Sequence, residues 1–284
     1  MSMNHNVISC NAAVAILMST YNGAKYLGEQ LDSLIGQTFR DWNLFIRDDG
    51  SNDNTHEIID EYAAKDSRIH YFNDPVAHRG VKGSFLALLQ GVDALYYMFC
   101  DQDDFWKPAK IARSMQAMKE GESSVNEDTP VLVTSDLAVV DEKLNVTADS
   151  MWRKLGVDRI AVKPEYLCVA PMYPGCTMLF NAAAKQAAIN GKDSGKIIHD
   201  QLIALNVSRS CGRIIPIAES LILYRQHSAN EIGARSTHSG RNPITIAKGV
   251  YRESMNYYRI VREILGISSS EYLIKKIRRI LKLT

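Results

Sequence analysis

The acidic segment Asp101-Gln102-Asp103-Asp104 places three carboxylates within four consecutive residues of the 284-residue chain. Carboxylates this close repel one another unless a cation or strong hydrogen-bond donors offset their charge. Such hard oxygen ligands suit Mg²⁺ or Mn²⁺, which bind through one or two carboxylates together with substrate phosphates. The segment therefore predicts a divalent-metal site for a phosphorylated substrate. The alternative is an acidic turn, with Asp104 capping a helix that starts near Pro108.

A second acidic segment runs from Asp48 to Asp53 with the sequence Asp-Asp-Gly-Ser-Asn-Asp. A carboxylate here could accept hydrogen bonds from a base or a ribose, as acidic residues at strand ends do in nucleotide-binding folds. An Asx-rich turn is the alternative reading of the same residues. The chain has no GxGxxG after its first predicted strand and no GxxxxGK[ST], which disfavours a dinucleotide enzyme and a P-loop ATPase.

Short apolar runs alternate with helical periodicity over the first half of the chain and would position these segments. The predicted strands are 13–19, 42–47, 69–72, 95–100 and 130–135. The helix after the second strand would begin with a capping box of Asn54 and Glu57. This alternation predicts an α/β fold, a mostly parallel sheet flanked by helices. Polar segments follow the first four strands directly, so we expect them to share one sheet edge and form one site.

The second half of the chain is less regular. Prolines punctuate the stretch that leads to Gly175, a helix is predicted from Ile198 to Ser208, and two strands are predicted at Arg213–Ile217 and Leu221–Tyr224. The last forty residues have helical periodicity.

The composition narrows the class of protein. Lys and Arg number 33 against 32 Asp and Glu, so the chain has no global basic field and we expect no nucleic-acid partner. The five cysteines are scattered without CxxC spacing, which fits a reducing compartment. The first residues do not resemble a signal peptide, and no apolar run reaches the ~20 residues that cross a bilayer. We therefore expect a cytoplasmic protein whose membrane contact, where it has any, is peripheral on the inner face of the cell membrane.

The order of the motifs resembles glycosyltransferase family 2 over roughly residues 13 to 235. The matching motifs are Thr20-Tyr21-Asn22-Gly23, Asp48 to Asp53, Asp101 to Asp104 with Phe105-Trp106, and His199-Asp200. Cys100 to Trp106, Gly175 to Met178 and Tyr224 to His227 look most like bacterial rhamnosyltransferase-type enzymes of cell-surface polysaccharide synthesis. The resemblance implies a GT-A-type, Rossmann-like sheet flanked by helices, and transfer with inversion. The donor would be a dTDP- or UDP-sugar, with dTDP-rhamnose the best guess, and the acceptor a glycan or lipid-linked glycan of an O-antigen or capsule.

The resemblance also implies roles for individual residues. Asp200 would be the catalytic base, and Asp103 and His227 would lie at the divalent metal, Mg²⁺ or Mn²⁺. The donor nucleotide would be bound by Thr20, Tyr21, Asn22, Asp49, Asp101 and Gln102. Further candidate contacts to the diphosphate or sugar are Arg79, Lys82, Trp106 and Arg225, and the acceptor side would include Gly175, Cys176 and Thr177. Ser84 stands where these enzymes often carry Asn, which departs from the family pattern.

These roles give a consistent reaction. A carboxylate within hydrogen-bond reach can take the proton of an acceptor hydroxyl as it attacks the anomeric carbon. A metal can stabilise the charge that develops on the departing nucleoside diphosphate. For Asp200 the alternative is a helix N-cap, and for His227 a structural or surface histidine.

The C-terminal segment Leu273 to Lys282 combines apolar residues at helical spacing with five cations. Such a helix can lie on an anionic membrane, and a helix with a solvated basic face is the alternative.

The chain as a whole is expected to comprise a flexible tail (1–12), a GT-A domain (13–235) and a helical segment (236–284) that could associate with a membrane. Within the domain, residues 13–135 would bind the nucleotide sugar and 136–235 the acceptor.

Two other classes remain open at this point. A sugar nucleotidyltransferase on a related sheet usually carries a glycine-rich basic loop after its first strand, and Ser19 to Ala24 contains one glycine. A non-catalytic carbohydrate-binding scaffold of the same fold would be expected to lose the metal ligand or the base, whereas Asp103 and Asp200 are both present.

Overall fold

The structure is a computed structural model that describes residues 7–228 and 243–281. Its strands are β1 (Ile8–Ser9), β2 (Val14–Thr20), β3 (Trp42–Asp48), β4 (Ile69–Tyr71), β5 (Val92–Asp93), β6 (Tyr96–Cys100), β7 (Phe105–Trp106), β8 (Val131–Val140), β9 (Val146–Ala148), β10 (Met178–Asn181) and β11 (Arg213–Arg225). Its helices are α1 (Ala24–Ile35), α2 (Thr55–Lys65), α3 (Gly80–Gly91), α4 (Lys110–Glu122), α5 (Met151–Lys154), α6 (Asp158–Ala161), α7 (Ala182–Ile189), α8 (His199–Arg209), α9 (Pro243–Leu265) and α10 (Ser269–Ile280), with 3₁₀ turns at Pro164–Val169 and Gly175–Thr177.

One large sheet organises the molecule, with the strand order β4-β3-β2-β6-β10-β8-β11-β7 and β9 paired to β8. Strands β4, β3, β2 and β6 are parallel, and β8 is parallel to β11. Strand β10 runs antiparallel between β6 and β8. The α/β class with a mostly parallel, Rossmann-like sheet is therefore confirmed.

The core lies on both faces of this sheet because β2 is apolar throughout. Ile16 is buried on the face covered by Leu31 of α1, whereas Leu17 is buried on the opposite face with Phe85 and Leu89 of α3. Alternate side chains of a strand point to opposite faces, so a strand buried on both sides must be apolar at every position. This burial holds the carboxyl end of β2 rigidly at the edge where the polar segments lie.

Two local predictions were wrong. Residues 213–217 and 221–224 belong to one strand, β11, whose pairing with β8 shifts register between Ile217 and Ser220 and again before Leu223. At this irregularity the polar residues between the two apolar runs interrupt the pairing locally, and the strand continues beyond them. The side chain of Asn54 makes no capping hydrogen bond, and Asp53 Oδ1 instead accepts from the backbone N–H of Thr55 at 3.1 Å.

The two ends of the described chain pack onto this body. Ile8 and Ser9 pair in parallel with Val92 and Asp93, so this part of the predicted 1–12 tail is a strand, and residues 1–6 lie outside the described residues. Val261 and Ile264 of α9 are buried with the core that includes α8. The proposed boundary at 235/236 lies within 229–242, outside the described residues, as does Lys282. No helix in the described parts of the chain is long and apolar enough to cross a membrane.

Candidate active site

The carboxyl ends of three neighbouring strands bring the predicted polar segments together. Thr20 at the end of β2 pairs with Asp48 at the end of β3, and Met18 pairs with Cys100 at the end of β6. Parallel strands end at the same side of a sheet, so the segments that follow them share one edge. The prediction that these polar segments share one edge of the sheet is therefore confirmed.

Asp48 organises the turn after β3. Its carboxylate accepts hydrogen bonds from Thr20 Oγ1 at 2.9 Å and from the backbone N–H groups of Gly50 and Ser51 at 3.0 and 2.7 Å. Burial opposes ionisation of this carboxyl, but these hydrogen bonds outweigh it and keep the pKa of Asp48 below its usual value. Thr20 is buried, so its hydroxyl serves this turn rather than facing a ligand.

Asp49 sits beside the N-terminus of α3. Its carboxylate accepts from Arg47 Nη1 at 2.7 Å and from the backbone N–H groups of Arg79 and Gly80, both at 2.8 Å. Burial disfavours the charged form, yet these donors lower the pKa of Asp49, which keeps the carboxylate ionised. The predicted base-reading residue is thus held in a defined orientation by the elements on either side of it.

Arg47 is a supporting residue that the sequence patterns did not single out. Its side chain is fully buried, and its guanidinium also donates to Asp74 Oδ2 at 2.8 Å and to Ser84 Oγ at 2.7 Å. A buried cation with this many charge-assisted partners ties β3 to α3. Ser84, which departs from the family pattern, is therefore a partner of Arg47 and lies behind Asp49 rather than in the site. An arginine directly after the apolar run Leu44 to Ile46 was the available signal.

A latch joins the segments after β2 and β6. Gln102 Oε1 accepts from the backbone N–H of Tyr21 at 2.9 Å, and Gln102 Nε2 donates to the carbonyl of Tyr21 at 3.1 Å. Gly23 permits this approach, because a Cβ at that position would lie 2.2 Å from Gln102 Oε1. The Tyr21 side chain remains 47% exposed, which leaves its ring free to contact a planar ligand.

Asn22 connects the same segment to the turn after β3. Its Oδ1 accepts from the backbone N–H of Asn52 at 2.8 Å, and its own N–H donates to Ser51 Oγ at 2.8 Å. Asn22 has a φ of 48°, in the left-handed region that Asn tolerates better than most residues. The side chains of Asn22 and Gln102 therefore shape the predicted nucleotide site through the backbone.

The pKa of Asp101 shows that negative charges are crowded in this part of the site. Burial, followed by the charges of Asp103 and Asp200, raises its pKa to about 7. The structure therefore brings the predicted ribose, metal and base carboxylates within electrostatic range of one another. A divalent cation would relieve this repulsion, which is what such a cluster requires to stay ionised.

Asp103 and His227 meet as the resemblance implied. Asp103 Oδ2 lies 2.9 Å from His227 Nε2, and the imidazole packs on Tyr26 with ring centroids 4.7 Å apart. Both side chains are largely covered, with 15% and 8% of their surfaces exposed. A carboxylate and an imidazole nitrogen converging on one point form a donor set that fits Mn²⁺, and Mg²⁺ through the carboxylate.

A second potential donor group fits a hard metal less well. One donor atom each from Asp101, Asp104 and Cys176 lies within 4.8 Å of the others. Asp104 and Cys176 are fully buried, and burial raises the pKa of the Cys176 thiol well above its ordinary value. A protonated thiol is a poor metal ligand. Asp104, which accepts from the backbone N–H of Arg225 at 3.3 Å, is therefore a structural member of the acidic segment.

Two residues predicted to contact the diphosphate or sugar are turned inward. Trp106 is completely buried, with Lys110 Nζ 3.3 Å from its ring centroid. Arg225 is also buried, and its guanidinium donates to the Asp103 carbonyl at 2.9 Å and to Glu29 Oε2 at 2.5 Å. We therefore expect neither side chain to contact a ligand directly, because both lie behind the acidic segment and support it.

Arg79 and Lys82 remain at the rim of the site. Arg79 Nε donates to Asp74 Oδ2 at 2.7 Å with 27% of its side chain exposed. Lys82 Nζ pairs with Asp193 Oδ2 at 2.7 Å with 26% exposed. The Lys82–Asp193 pair joins two partly exposed groups and contributes little stability. The Asp74 carboxylate is buried and also pairs with Arg47, so Arg79 is held more firmly. An anionic ligand would therefore compete more readily for Lys82 than for Arg79.

Asp200 lies in the first turn of α8, as predicted. Burial raises its pKa to about 7, although backbone N–H groups of Gln201 and Gly175 partly stabilise the charge. It is not the N-cap, which is Ile198. A buried carboxyl poised near neutrality has the acid–base character that proton abstraction requires.

His199 fixes the start of α8 and is a second residue whose role the sequence did not reveal. Its ring stacks on Phe85 with centroids 4.1 Å apart and meets Phe99 edge-on at 4.9 Å. Burial, assisted by the charge of Lys82, lowers its pKa to about 3, so the imidazole is neutral. The histidine is a packing element that orients the adjacent Asp200.

The Gly175–Thr177 turn supports the same place. A Cβ on Gly175 would lie 2.7 Å from His199 Nε2, so glycine lets the turn approach α8 closely. Cys176 and Thr177 are each about 1% exposed, and Thr177 Oγ1 contacts Thr134 Oγ1 at 2.8 Å. The expectation that these two side chains face an acceptor is therefore not met, since both point into the core.

With this geometry in place, comparisons with known proteins define the class. Residues 15–181 match the family described as Glycosyl transferase family 2, so the chain belongs to that family. It is 29% identical over 231 residues to the dTDP-rhamnosyl transferase RfbG of Shigella flexneri, covering 76% of this chain and 74% of that protein. It is 32% identical over 108 residues to an uncharacterized glycosyltransferase of Nostoc sp., covering 37% of this chain but 33% of that protein.

Solved structures agree on the fold. TarS 1–349 of S. aureus in complex with UDP-GlcNAc superposes with a TM-score of 0.62 at 15% identity, over 95% of this chain and 73% of that one. The mannosyltransferase PcManGT of Pyrobaculum calidifontis, in complex with GDP-Man and Mn²⁺, has a TM-score of 0.59 at 13% identity, over 96% of this chain and 81% of that one. The fold is therefore that of GT-A glycosyltransferases.

Proposed function

We propose that this glycosyltransferase moves a sugar from a nucleoside-diphosphate donor to a hydroxyl group of a bacterial surface polysaccharide, with inversion at the anomeric carbon. The observation that carries the proposal is Asp200, a buried carboxyl with a pKa of about 7 within electrostatic range of Asp101. A single base of this kind suffices for one direct displacement, which inverts the configuration and needs no covalent intermediate.

The donor nucleotide lies against the strand-end segments in this proposal. The exposed ring of Tyr21 contacts the base, the oriented carboxylate of Asp49 reads it, and Asp101 lies near the ribose. Arg79 and Lys82 exchange their present carboxylate partners for the diphosphate. The convergence of these groups on one sheet edge supports the arrangement.

Asp103 and His227 hold a divalent metal, Mg²⁺ or Mn²⁺, in this proposal. Their contact at 2.9 Å and the crowding of carboxylates around Asp101 support that placement. When bound, the metal neutralises charge on the departing diphosphate. Arg225 holds the acidic segment through the Asp103 carbonyl, and Gln102 ties the segment to the backbone of Tyr21.

For the donor and acceptor we propose dTDP-rhamnose and a growing, lipid-linked glycan such as an O-antigen or capsule precursor. The supporting observation is the 29% identity to RfbG, a dTDP-rhamnosyl transferase, over most of both chains. The UDP-GlcNAc and GDP-Man complexes of the structural neighbours concern proteins of 15% and 13% identity, and they support a nucleotide-sugar donor in general.

The test is a donor screen on the purified protein with dTDP-, UDP- and GDP-sugars, each with Mn²⁺ and with chelator. We expect metal-dependent binding of one nucleotide class, best for dTDP-sugars, which Asp103→Ala abolishes. Asp60→Asn, at an exposed carboxylate on α2, is the matched control and should bind as wild type. NMR of the product then gives the anomeric configuration.

Two outcomes would contradict the proposal. Folded protein that binds none of the donors would exclude transfer from these nucleotide sugars. Retention of the donor's anomeric configuration would exclude the single displacement and the role given to Asp200.

A further inference from the structure

The outward face of α10 is an apolar stripe. Leu273, Ile274, Ile277 and Ile280 are 56%, 52%, 44% and 67% exposed, and Leu281, the C-cap residue that follows the helix, is 58% exposed. At 3.6 residues per turn these five positions fall within an arc of about 120° on one side of the helix. Surface helices normally bury such an arc and expose their polar residues, so α10 has the reverse orientation.

The opposite face of α10 is polar and is fixed to the body of the protein. Arg279 Nη1 donates to the carbonyl of Val169 at 2.9 Å, and the buried Tyr272 contacts Ser254 of α9 through its hydroxyl at 3.2 Å. Burial lowers the pKa of Arg279, consistent with its inward position. These contacts set the rotation of the helix and leave the stripe outward.

Cations border the stripe. Within α10 four cations stand against one carboxylate, Glu271. Exposed Arg278 lies on one edge of the apolar arc and half-buried Lys276 on the other. The guanidinium of Arg278 and the ammonium of Lys276 can therefore reach a surface on which the stripe rests. Apolar residues flanked by cations match the boundary between lipid tails and anionic headgroups.

We propose that α10 docks on the surface of an anionic lipid bilayer, with its apolar stripe in the headgroup region and its flanking cations on lipid phosphates. This interaction is separate from the sugar-transfer function proposed above. A second copy of the chain fits the surface less well, because an isologous contact would bring like-charged helices together. Five side chains are also few compared with the roughly 20–30 residues that each partner contributes to a stable interface.

The experiment measures sedimentation of the purified full chain with vesicles of phosphatidylcholine alone or mixed with phosphatidylglycerol. We expect binding to the anionic vesicles that weakens with salt, and little binding to the neutral ones. Ile277→Ser combined with Ile280→Ser should lower the partition constant at least ~10-fold. Leu95→Ser with Val146→Ser removes two apolar residues elsewhere that are 66% and 58% exposed, and it should leave vesicle binding unchanged.

A second variant keeps the test decisive if the serine pair disturbs folding. Lys276→Gln with Arg278→Gln leaves the stripe intact and should lower binding to anionic vesicles by about fivefold for each cation. Absence of binding by the wild type, or equal binding by wild type and both α10 variants, would overturn the proposal. Concentration-dependent dimerisation without vesicle binding, lost in the serine pair, would assign the stripe to a second copy instead.

Discussion

At the scale of single residues, the site depends on carboxyl groups whose environments differ. Hydrogen bonds lower the pKa of Asp48 and of Asp49, whereas burial raises the pKa of Asp101 and of Asp200 to about 7. Groups of one chemical type are thereby divided between permanent anions that shape turns and carboxyls that can exchange protons near neutrality. This division is invisible in the sequence, where all four are aspartates.

Asp200→Asn tests the base by its effect on rate. The base must be ionised, so with a pKa of about 7 the wild-type rate should rise with pH and level off above neutrality. The variant should lose roughly 10²- to 10⁴-fold in kcat and lose this pH dependence, because the amide does not titrate. A merely structural role would change stability while leaving the pH profile intact.

The same substitution should stabilise the protein at alkaline pH. The pKa of Asp200 rises from 3.8 to about 7 on folding, so the folded state binds this proton more tightly than the unfolded chain. The contribution to the free energy of unfolding therefore falls as pH rises from about 4 to 7 and stays low above that. Asn removes this loss, so the gain in Tm over wild type should be larger at pH 8 than at pH 5. Equal gains at both values would contradict the buried charge.

At the scale of elements, the active edge is assembled by contacts between segments that are distant in sequence. The Gln102–Tyr21 latch joins the loops after β2 and β6, and Gly175 lets a 3₁₀ turn approach α8. Arg47 ties β3 to α3 behind Asp49. These contacts position the groups that we propose to bind the ligand.

Gln102→Ala tests the latch. Losing both hydrogen bonds should free the Tyr21 backbone, so we expect the donor KM to rise severalfold with a smaller change in kcat. The free energy of unfolding should fall by about 1–2 kcal/mol at most, since the hydrogen bonds between Gln102 and Tyr21 are solvent-exposed. Gln116→Ala, on the exposed face of α4, is the control. An unchanged KM for the donor would show that Tyr21 keeps its place without Gln102.

Apolar runs and strand-end motifs predicted the strands of the first half and their shared edge, because these patterns depend on local order. The meeting of Asp103 and His227, 124 residues apart, was implied by the family resemblance and not by such patterns. The sequence did not predict that Trp106 and Arg225 face inward, or that β10 enters the sheet antiparallel. The orientation of these two side chains and the direction of β10 depend on which surfaces the second half of the chain covers. Contacts between residues far apart in sequence determine that packing. The outward stripe of α10 is of the same kind, since its periodicity was readable but its orientation was not.

At the scale of the whole molecule, the C-terminal helices are part of the same folded body as the site. Val261 and Ile264 of α9 share a core with α8, and Tyr257 Oη donates to the Leu167 carbonyl at 2.6 Å. The 3₁₀ turn held in this way leads along the chain to Gly175 beside Asp200. Packing of α9 therefore supports the side of the site opposite the nucleotide-binding edge.

Val261→Ala should show this connection as a loss of stability. Truncating a fully buried valine removes apolar contact and leaves a small cavity, which costs about 2 kcal/mol and lowers Tm by several degrees. Below the transition, the donor KM should match wild type, because Asp49 and Tyr21 lie on other elements. A Tm equal to wild type would mean that α9 contributes nothing to the fold.

The crowded carboxylates around Asp101 have a consequence for how the protein behaves before it meets its substrates. Mutual repulsion disfavours the fully ionised cluster in the ligand-free protein, and a bound divalent cation would offset it. Ligands that bind only the folded state stabilise it further by mass action. In the reaction proposed above the positive charge would come with the metal-bound donor, so the folded fraction of the protein in a cell would rise with the supply of donor and metal.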